Sequence, residues 1–326
     1  MQTQDHGLAG DQTSADRAAL TVFVVAPPVA LATGIRRLWK REKIGGTDLA
    51  MLAVMHVIGS LGITVGYHRM LTHQGFKARP WLRNLFTVMG SMAVQGQPSH
   101  WVGDHRKHHA FTDREGDPHS PHLSSFPGIL GKAAGMGHAH VGWLFSMDQS
   151  SIEKHAPDIL KDEEVMAVDR HFGKISFLSL FAIPFTVGAL RKRSVRGGLR
   201  TAFWAGPVRL ALTQHITWSV NSVCHVFGSR PFGINRKTGW STNNWVVGLL
   251  AWGEGWHHNH HQDSRSARHG IFPGQLDFSW YVIKAFEKLG FVWDVQEPSQ
   301  EQIRQWLAET SVVTEDAGQL SGTSAA

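Results

Sequence analysis

The chain of 326 residues carries a formal net charge of +6, yet only 18% of its residues are charged, fewer than the roughly 25% of typical soluble domains. Its single cysteine, Cys224, excludes an intramolecular disulfide framework and any multi-cysteine zinc or iron–sulfur site. The 21 histidines, by contrast, are about three times an ordinary share. No nucleic-acid-binding motif accompanies the positive charge, which therefore favours lipid or phosphorylated thioester carriers as partners and excludes nucleic acid.

Four apolar runs predict helices that cross a membrane: residues 18–35, 49–67, 175–190 and 201–227. Pro27 and Pro28 are expected to kink the first run, and the fourth contains the polar residues Arg209, Gln214 and His215. The alternative is a soluble protein in which these runs are buried core helices. Residues 81–97 are also apolar, but a crossing there would place neighbouring histidine clusters on opposite sides of the membrane. We expect this segment to be an interfacial or buried helix.

The polar segments 103–170 and 253–295 are expected to form a cap outside the bilayer. Residues 1–17 are predicted to be a polar tail without the features of a signal peptide. Residues 18–295 would then form one domain, and residues 296–326 a tail that is largely disordered. The predicted fold is all-α, a multi-pass membrane bundle of about four transmembrane helices with a helical cap that holds a histidine-rich site for two metals.

Three histidine clusters flank these apolar runs, in the stretches "HRMLTH", "HRKHH" and "HHNHH". Their members are His68 and His73, then His105, His108 and His109, then His257, His260 and His261. In the last two clusters the pattern His-x-x-His-His places three rings on one face of a helix. His68 and His73 are five residues apart, about 140° around an α-helix. They converge only if the helix distorts or ends there, or if they approach a site from two sides.

Eight imidazoles exceed what one metal ion uses. Imidazole suits iron, zinc or copper, and the absence of thiolates argues against a closed structural zinc site. Two metals beside a membrane indicate oxygen activation by a centre of two non-haem irons. The carboxylates expected to hold the N–H groups of the ligand rings, with solvated surface charge as the alternative, are Asp104, Asp117, Glu254 and Asp263.

The sequence resembles the membrane-bound fatty acid desaturases of the delta-nine, stearoyl-CoA desaturase type. The matching stretches are "LGITVGYHRMLTH", "WVGDHRKHHAFTDREGDPHSP", "HVGWLF", "WSVNSVCHVFG" and "GEGWHHNHHQD", in the family's order and spacing, with the closing segment "FPGQLDFSWYVIKAFEKLGFVWDV". The resemblance covers residues 49–295. It implies an enzyme that uses O2, two irons and two external electrons to place a cis double bond, of delta-nine position, in a saturated acyl chain, with the cap facing the cytosol.

The resemblance also implies a ninth ligand in "NSVCH", namely His225, with Asn221 holding a metal-bound water. It assigns one metal to His68, His73, His105, His109 and His261. It assigns the other to His108, His225, His257 and His260. His258 stands where relatives usually have asparagine, and so a competing register would use His258. The spacing shared with "HRKHH" favours His257.

The other histidines lack ligand spacing, although the resemblance gives His119 and His138 a supporting role. They are His100, His119, His122, His138, His140, His155, His171, His215 and His269.

No flavin, haem or nicotinamide fingerprint is present, which implies a separate reductase and a small electron carrier. Acyl-CoA-using animal relatives have cations where this chain has Gly103 and Ser146-Met147, so acyl-CoA, acyl-carrier protein and membrane lipid all remain as carriers. A cytosolic cap places the basic loops "RRLWKREK" and "RKRSVRGGLR" outside, against the positive-inside tendency. The alternative functions are a membrane di-iron hydroxylase acting on fatty acyl or alkyl chains, and a metal-binding membrane protein without catalysis.

Overall fold

The computed structural model describes residues 13–146 and 150–310, and within these ranges nearly all regular structure is helical. The α-helices are α1 Ser14–Trp39, α2 Gly46–Leu61, α3 Pro80–Met92, α4 Pro98–Phe111, α5 Gly128–His140, α6 Ile152–His155, α7 Pro157–Leu160, α8 Glu163–Arg170, α9 Phe172–Phe177, α10 Ile183–Lys192, α11 Val195–Phe203, α12 Arg209–Ser222, α13 Trp245–Leu250, α14 His257–Gln262 and α15 Phe278–Lys288. Segments of π-helix continue α2 (Gly62–Thr72), α9 (Leu178–Ala182) and α11 (Trp204–Val208), and 3-10 turns lie at Gly142–Phe145 and Val223–His225. Two short strands, β1 Lys77–Ala78 and β2 Val292–Trp293, pair antiparallel.

Three helices in the described ranges are long and apolar enough to cross a membrane, Ser14–Trp39, Gly46–Thr72 and Phe172–Lys192. They confirm the first three predicted spans. The fourth apolar run belongs to a continuous helix over 195–222, which is interrupted by polar side chains and is largely buried between the other helices. Helix α3 has 13 residues and is only about 20 Å long, too short for a hydrocarbon core of about 30 Å. The expectation that 81–97 does not cross the membrane is therefore consistent with this length.

A polar side chain of α12 satisfies a carbonyl that a proline leaves open in α1. Pro27 has no N–H, so the carbonyl of Phe23 loses its helical partner, an expensive loss in hydrocarbon. The side-chain amide of Gln214 donates a hydrogen bond to this carbonyl at 3.1 Å. The polar residues of α12 thus satisfy backbone groups that neighbouring helices leave open.

Arg209 acts in the same way at the end of α3. Its guanidinium is fully buried and donates to the carbonyl of Met92 at 3.0 Å and to the hydroxyl of Ser179 at 3.1 Å. The last turn of a helix has carbonyls without intrahelical partners. A buried arginine in the fourth helix therefore anchors it to two other helices, which the hydropathy of the run did not reveal.

The π-helical end of α2 packs tightly against α3. A Cβ on Gly62 would lie 2.1 Å from the backbone nitrogen of Gly90, so only glycine permits this approach. The hydroxyl groups of Tyr67 and Ser91 form a hydrogen bond of 2.7 Å across the same contact. This packing fixes the end of α2 that carries the first two histidines.

The chain ends differ from the expected tails. Helix α1 begins at Ser14 and is capped by Thr13 and Asp16, so the part of the N-terminal tail that is described is already helical. Residues 300–310 are also helical, and Ile303 packs against Phe232. The expected disorder of 296–326 is wrong for this helix, and residues 311–326, like 1–12, lie outside the described residues.

Candidate metal centre

The structure brings together all nine histidines named from the sequence, in two neighbouring groups. One group consists of His68, His73, His105, His109 and His260, and the other of His108, His225, His257 and His261. In each group one nitrogen from every ring lies within 4.8 Å of the others. The groups adjoin, because the rings of His109 and His261 stack at 4.4 Å. We call these nine residues the histidine cage.

The expected division between the two metals is wrong for two residues. Nε2 of His260 is 3.0 Å from Nε2 of His109, and Nε2 of His261 is 3.1 Å from Nε2 of His257. His260 therefore belongs to the first group and His261 to the second. The reason is helical, since His257 and His261 are one turn apart on α14 and point to the same group.

A π-helix solves the problem posed by the five-residue spacing of His68 and His73. The segment Gly62–Thr72 is π-helical, and the N–H of His73 donates to the carbonyl of His68 at 3.1 Å. Hydrogen bonds from i+5 to i make residues five apart neighbours on successive turns. The two rings are consequently 4.9 Å apart. Of the alternatives that the spacing left open, the structure shows a distorted helix that ends at His73.

Three carboxylates lie against ring nitrogens of the cage. Nδ1 of His68 is 2.5 Å from Glu254, Nδ1 of His108 is 2.9 Å from Asp117, and Nδ1 of His225 is 2.9 Å from Asp113. The last two contacts are hydrogen bonds, which fix the tautomers of His108 and His225 and leave Nε2 free to face the other rings. Glu254 and Asp117 were expected. Asp113 was not, because it follows the "HRKHH" cluster but serves a histidine 112 residues away.

The other two expected carboxylates do not hold ligand rings in this way. Asp104 lies beside Ser150 and His100, and burial raises its pKa. Asp263 accepts hydrogen bonds from the backbone N–H groups of Arg265 and Ser266 just after α14, and burial raises its pKa as well. Proximity in the sequence placed these two near the cage, but their side chains point to other partners.

The facing nitrogens of His108 and His261 test whether a metal fits. Asp117 accepts the Nδ1 proton of His108, and the carbonyl of Lys237 accepts the Nδ1 proton of His261 at 3.3 Å. In neutral imidazoles both Nε2 atoms then carry lone pairs, and they are only 3.3 Å apart. Burial lowers the pKa of both rings well below the usual range, so protonation does not relieve this contact. A shared cation does, and the residues fit a metal ion.

His258 lies outside both groups, which argues against the competing register. Its Nδ1 donates to the carbonyl of Ser241 at 2.9 Å, and its Nε2 accepts from the N–H of Phe232 at 3.3 Å. Both ring nitrogens are used by the backbone. The ring also stacks on Phe232 and is fully buried.

Sequence reasoning missed a buried ionic cluster beside the first group. The guanidinium of Arg69 donates to Glu254 at 3.1 Å, to Asp277 at 2.9 Å and to Nδ1 of His269 at 3.1 Å. The His269 ring packs 4.5 Å from that of His260. His269 was set aside because it has no ligand spacing, and only the fold brings "SARHG" to the cage. His119, expected to support the site, stacks on His108 at 4.3 Å.

A cleft leads to the cage beside α1. Two cavities of about 440 and 160 Å³ have Gly96, His100, Asp104, Trp143 and Leu144 in common, so they form one passage. Its inner part is also lined by His105 of the cage and by Trp101, Trp218 and Asn221.

Asn221 lies one turn before His225 and lines the inner part of the cleft. Its water-holding role stays a prediction. Cys224, between them, is fully buried.

The chain matches known proteins over most of its length. The fatty acid desaturase family model matches residues 48–270. The chain is 33% identical over 283 residues to the hex-5-enoyl-[acyl-carrier protein] acetylenase of Moorena producens (strain JHB), covering 86% of this chain and 87% of that protein. It is 34% identical over 264 residues to delta-9 acyl-lipid desaturase 1 of Arabidopsis thaliana, covering 78% of this chain and 77% of that protein. It is also 38% identical over 255 residues to the chloroplastic palmitoyl-monogalactosyldiacylglycerol delta-7 desaturase of that plant, covering 78% of this chain and 63% of that protein.

Proposed function

The chain belongs to the fatty acid desaturase family, and we propose that it places a cis double bond at the delta-nine position of a saturated acyl chain. It is a membrane oxidoreductase of fatty acyl chains. The observation that carries the proposal is the passage between Trp101, Trp143 and Trp218, which ends at the histidine cage. Delta-nine is the position in the names of two relatives, whereas others are named for delta-five and delta-seven.

We propose that the cage holds two irons, one in each group. Bound there, they supply the O2-dependent removal of two hydrogens from the acyl chain. The protein's part is to keep nine imidazoles in place: Asp117 and Asp113 hold two of the rings by hydrogen bonds to Nδ1, and Glu254 contacts Nδ1 of a third. The indoles that line the cleft exclude water and hold the acyl chain beside the cage. The two electrons come from a separate reductase through a small electron carrier.

A lipid-bound acyl chain suits the mouth of the cleft best. The outer cavity is lined by the carboxylates Asp16 and Asp104 together with Ser146 and Ser150. Carboxylates repel the several phosphates of coenzyme A more strongly than the single phosphodiester of a phospholipid. Relatives are named for acyl-carrier protein, acyl-CoA and lipid substrates, so their names do not single out one carrier.

Lipid analysis after expression tests the function. The full chain is produced in a host with saturated lipids, and the position of any new double bond is read by mass spectrometry of dimethyl disulfide adducts. New delta-nine cis-monoenes are expected. Hydroxylated chains would replace the proposal with the hydroxylase, and triple bonds would replace it with the reaction named for the acetylenase relative. Unchanged lipids, with two irons bound and a reductase supplied, would overturn it.

The carrier and the orientation need their own measurements. Purified protein is offered the same acyl chain as phospholipid in vesicles, as acyl-CoA and as acyl-carrier protein, and turnover is expected with the phospholipid. We also propose that the cage faces the cytosol, where reducing power is available. A protease added to intact cells should then leave the segment 230–240 uncut, whereas cleavage there would reverse the orientation.

A further inference from the structure

Two basic loops converge at the end of the helical bundle opposite the histidine cage. We call them, residues 36–43 and 191–200, the basic platform. Seven of their cations are exposed, and they are Arg36, Lys40, Arg41, Lys43, Arg191, Arg193 and Arg196. Glu42 is the one exposed carboxylate within the platform. The loops therefore present a strong excess of positive charge on one surface.

Asp48 joins the loops into one surface. This carboxylate is fully buried at the start of α2 and forms ion pairs with Lys192 and, at 3.1 Å, with Arg200. The hydroxyl of Thr201 donates to it at 2.6 Å, and Arg200 also donates to the carbonyl of Lys43. Because Lys192 and Arg200 already neutralise Asp48, the seven exposed cations have no buried carboxylate of the platform left to balance them.

The platform lies where a membrane surface would be. Helix α1 ends at Trp39, α2 begins at Gly46 and α10 ends at Lys192, so the ends of all three apolar spans meet there. Trp39 is 88% exposed and Leu190 is 73% exposed, beside the cations. Large apolar side chains next to arginine and lysine are typical of the boundary between hydrocarbon and headgroups.

The distance from the cage excludes a role in delivering electrons. Asp48 and His68 are separated by twenty residues of one continuous helix, which at 1.5 Å per residue is about 30 Å. That length is the thickness of the hydrocarbon core. A protein docked on the platform would be separated from the histidine cage by the membrane itself.

We propose that the basic platform binds the headgroups of anionic phospholipids in the leaflet opposite the histidine cage. The argument is charge complementarity together with position: seven exposed lysines and arginines next to membrane spans attract anionic headgroups in the leaflet that they face. Arginine forks also match phosphate geometry, so the binding is to the phosphodiester group of the lipid. This inference does not depend on the reaction at the cage.

Native mass spectrometry of the full-length protein tests the proposal. The protein is extracted into detergent micelles, and mixed phosphatidylglycerol and phosphatidylcholine are added. One variant carries Lys40→Gln, Arg191→Gln and Arg196→Gln. The matched control carries Lys161→Gln, Arg236→Gln and Lys288→Gln, which removes three exposed cations of the cap instead.

Wild type and the control variant are expected to retain phosphatidylglycerol in preference to phosphatidylcholine. The platform variant should lose at least about tenfold of this preference, and added salt should weaken it in wild type. Iron per chain is measured in all three proteins, because equal iron shows that the platform variant has folded.

Equal lipid preference in the two variants would overturn the proposal, as would equal retention of the two lipids by wild type. Inorganic phosphate and a short RNA are separate arms of the experiment. Displacement of phosphatidylglycerol by millimolar phosphate would mean that the site binds the free anion rather than lipid. Retention of the RNA without retention of phosphatidylglycerol would also overturn it.

Discussion

The two ends of the helical bundle differ in how their basic side chains are placed. At one end nine imidazoles are buried or half-buried and face one another, and carboxylates or a carbonyl orient several of the rings. At the other end seven cations are exposed to solvent and can pair with any anion that approaches them. A buried polar site depends on every partner, whereas an exposed one depends on the sum of its charges. Single substitutions should therefore have large effects at the cage and small ones at the platform.

Removing one ligand should have the largest effect. In His108→Ala the second group loses one of its four nitrogens, and the carboxylate of Asp117 loses its partner. We expect iron per chain to fall from about two to one or fewer, and desaturation to fall below detection. Iron is measured by plasma mass spectrometry on the purified protein. His171→Ala is the control, because this histidine is exposed and its Nδ1 bonds to the carbonyl of Ala167 in its own helix. Unchanged iron in His108→Ala would contradict the assignment.

Breaking the buried ionic cluster should be the next largest effect. Arg69→Ala leaves Glu254 and Asp277 without their shared cation. A buried charge without its partner destabilises a protein by about 3–5 kcal/mol. Thermal unfolding in detergent should show this loss, while Arg83→Ala, which removes a half-exposed pair with Asp162, should change stability by about 1 kcal/mol or less. Similar unfolding temperatures for the two variants would mean that the cluster does not support the cage.

Carboxylates that hold a ligand ring should matter more than those that do not. Asp113→Asn keeps an acceptor oxygen but removes the negative charge beside the buried His225 ring. That charge favours the protonated ring, whereas burial disfavours it. Iron affinity should fall by about 10- to 100-fold. Asp263→Asn is the matched control, since its carboxylate bonds to backbone N–H groups instead. Chelator titration measures both, and equal affinities would show that the contact at 2.9 Å has no effect on the metal.

The smallest effect is expected at His258. In His258→Asn the side-chain amide can still donate to the carbonyl of Ser241, but the N–H of Phe232 loses its acceptor, so stability should fall by about 1–3 kcal/mol while the cage stays intact. Iron content and turnover should stay within about twofold of wild type. His257→Asn, one residue away, removes a member of the second group and should lose iron. The reverse result would restore the competing register.

Local spacing predicted most of the histidines of the site, but few of the contacts between them and their partners. The pattern His-x-x-His-His identified six rings, because helical periodicity alone places them on one face. The assignment of His260 and His261 failed, since it depends on how α14 is rotated against α4. Asp113 and His269 were missed for a related reason: each meets its histidine only through tertiary packing, at sequence separations that carry no local signal.

The membrane spans show the same limit. Three apolar runs became apolar helices, but the polar residues of the fourth were recognised only as interruptions. Gln214 and Arg209 satisfy carbonyls of other helices, and a hydropathy pattern does not contain those partners.

The buried thiol of Cys224 makes the chain convenient for site-directed labelling. Maleimides and spin labels react with thiolates at accessible cysteines, and this sulfur is fully buried. The natural chain should thus be silent towards such reagents without any cysteine being removed. A new cysteine at Trp39 or at Trp245, both well exposed, would be the sole reactive position in its variant. Each would report from one end of the bundle to a membrane-impermeant probe.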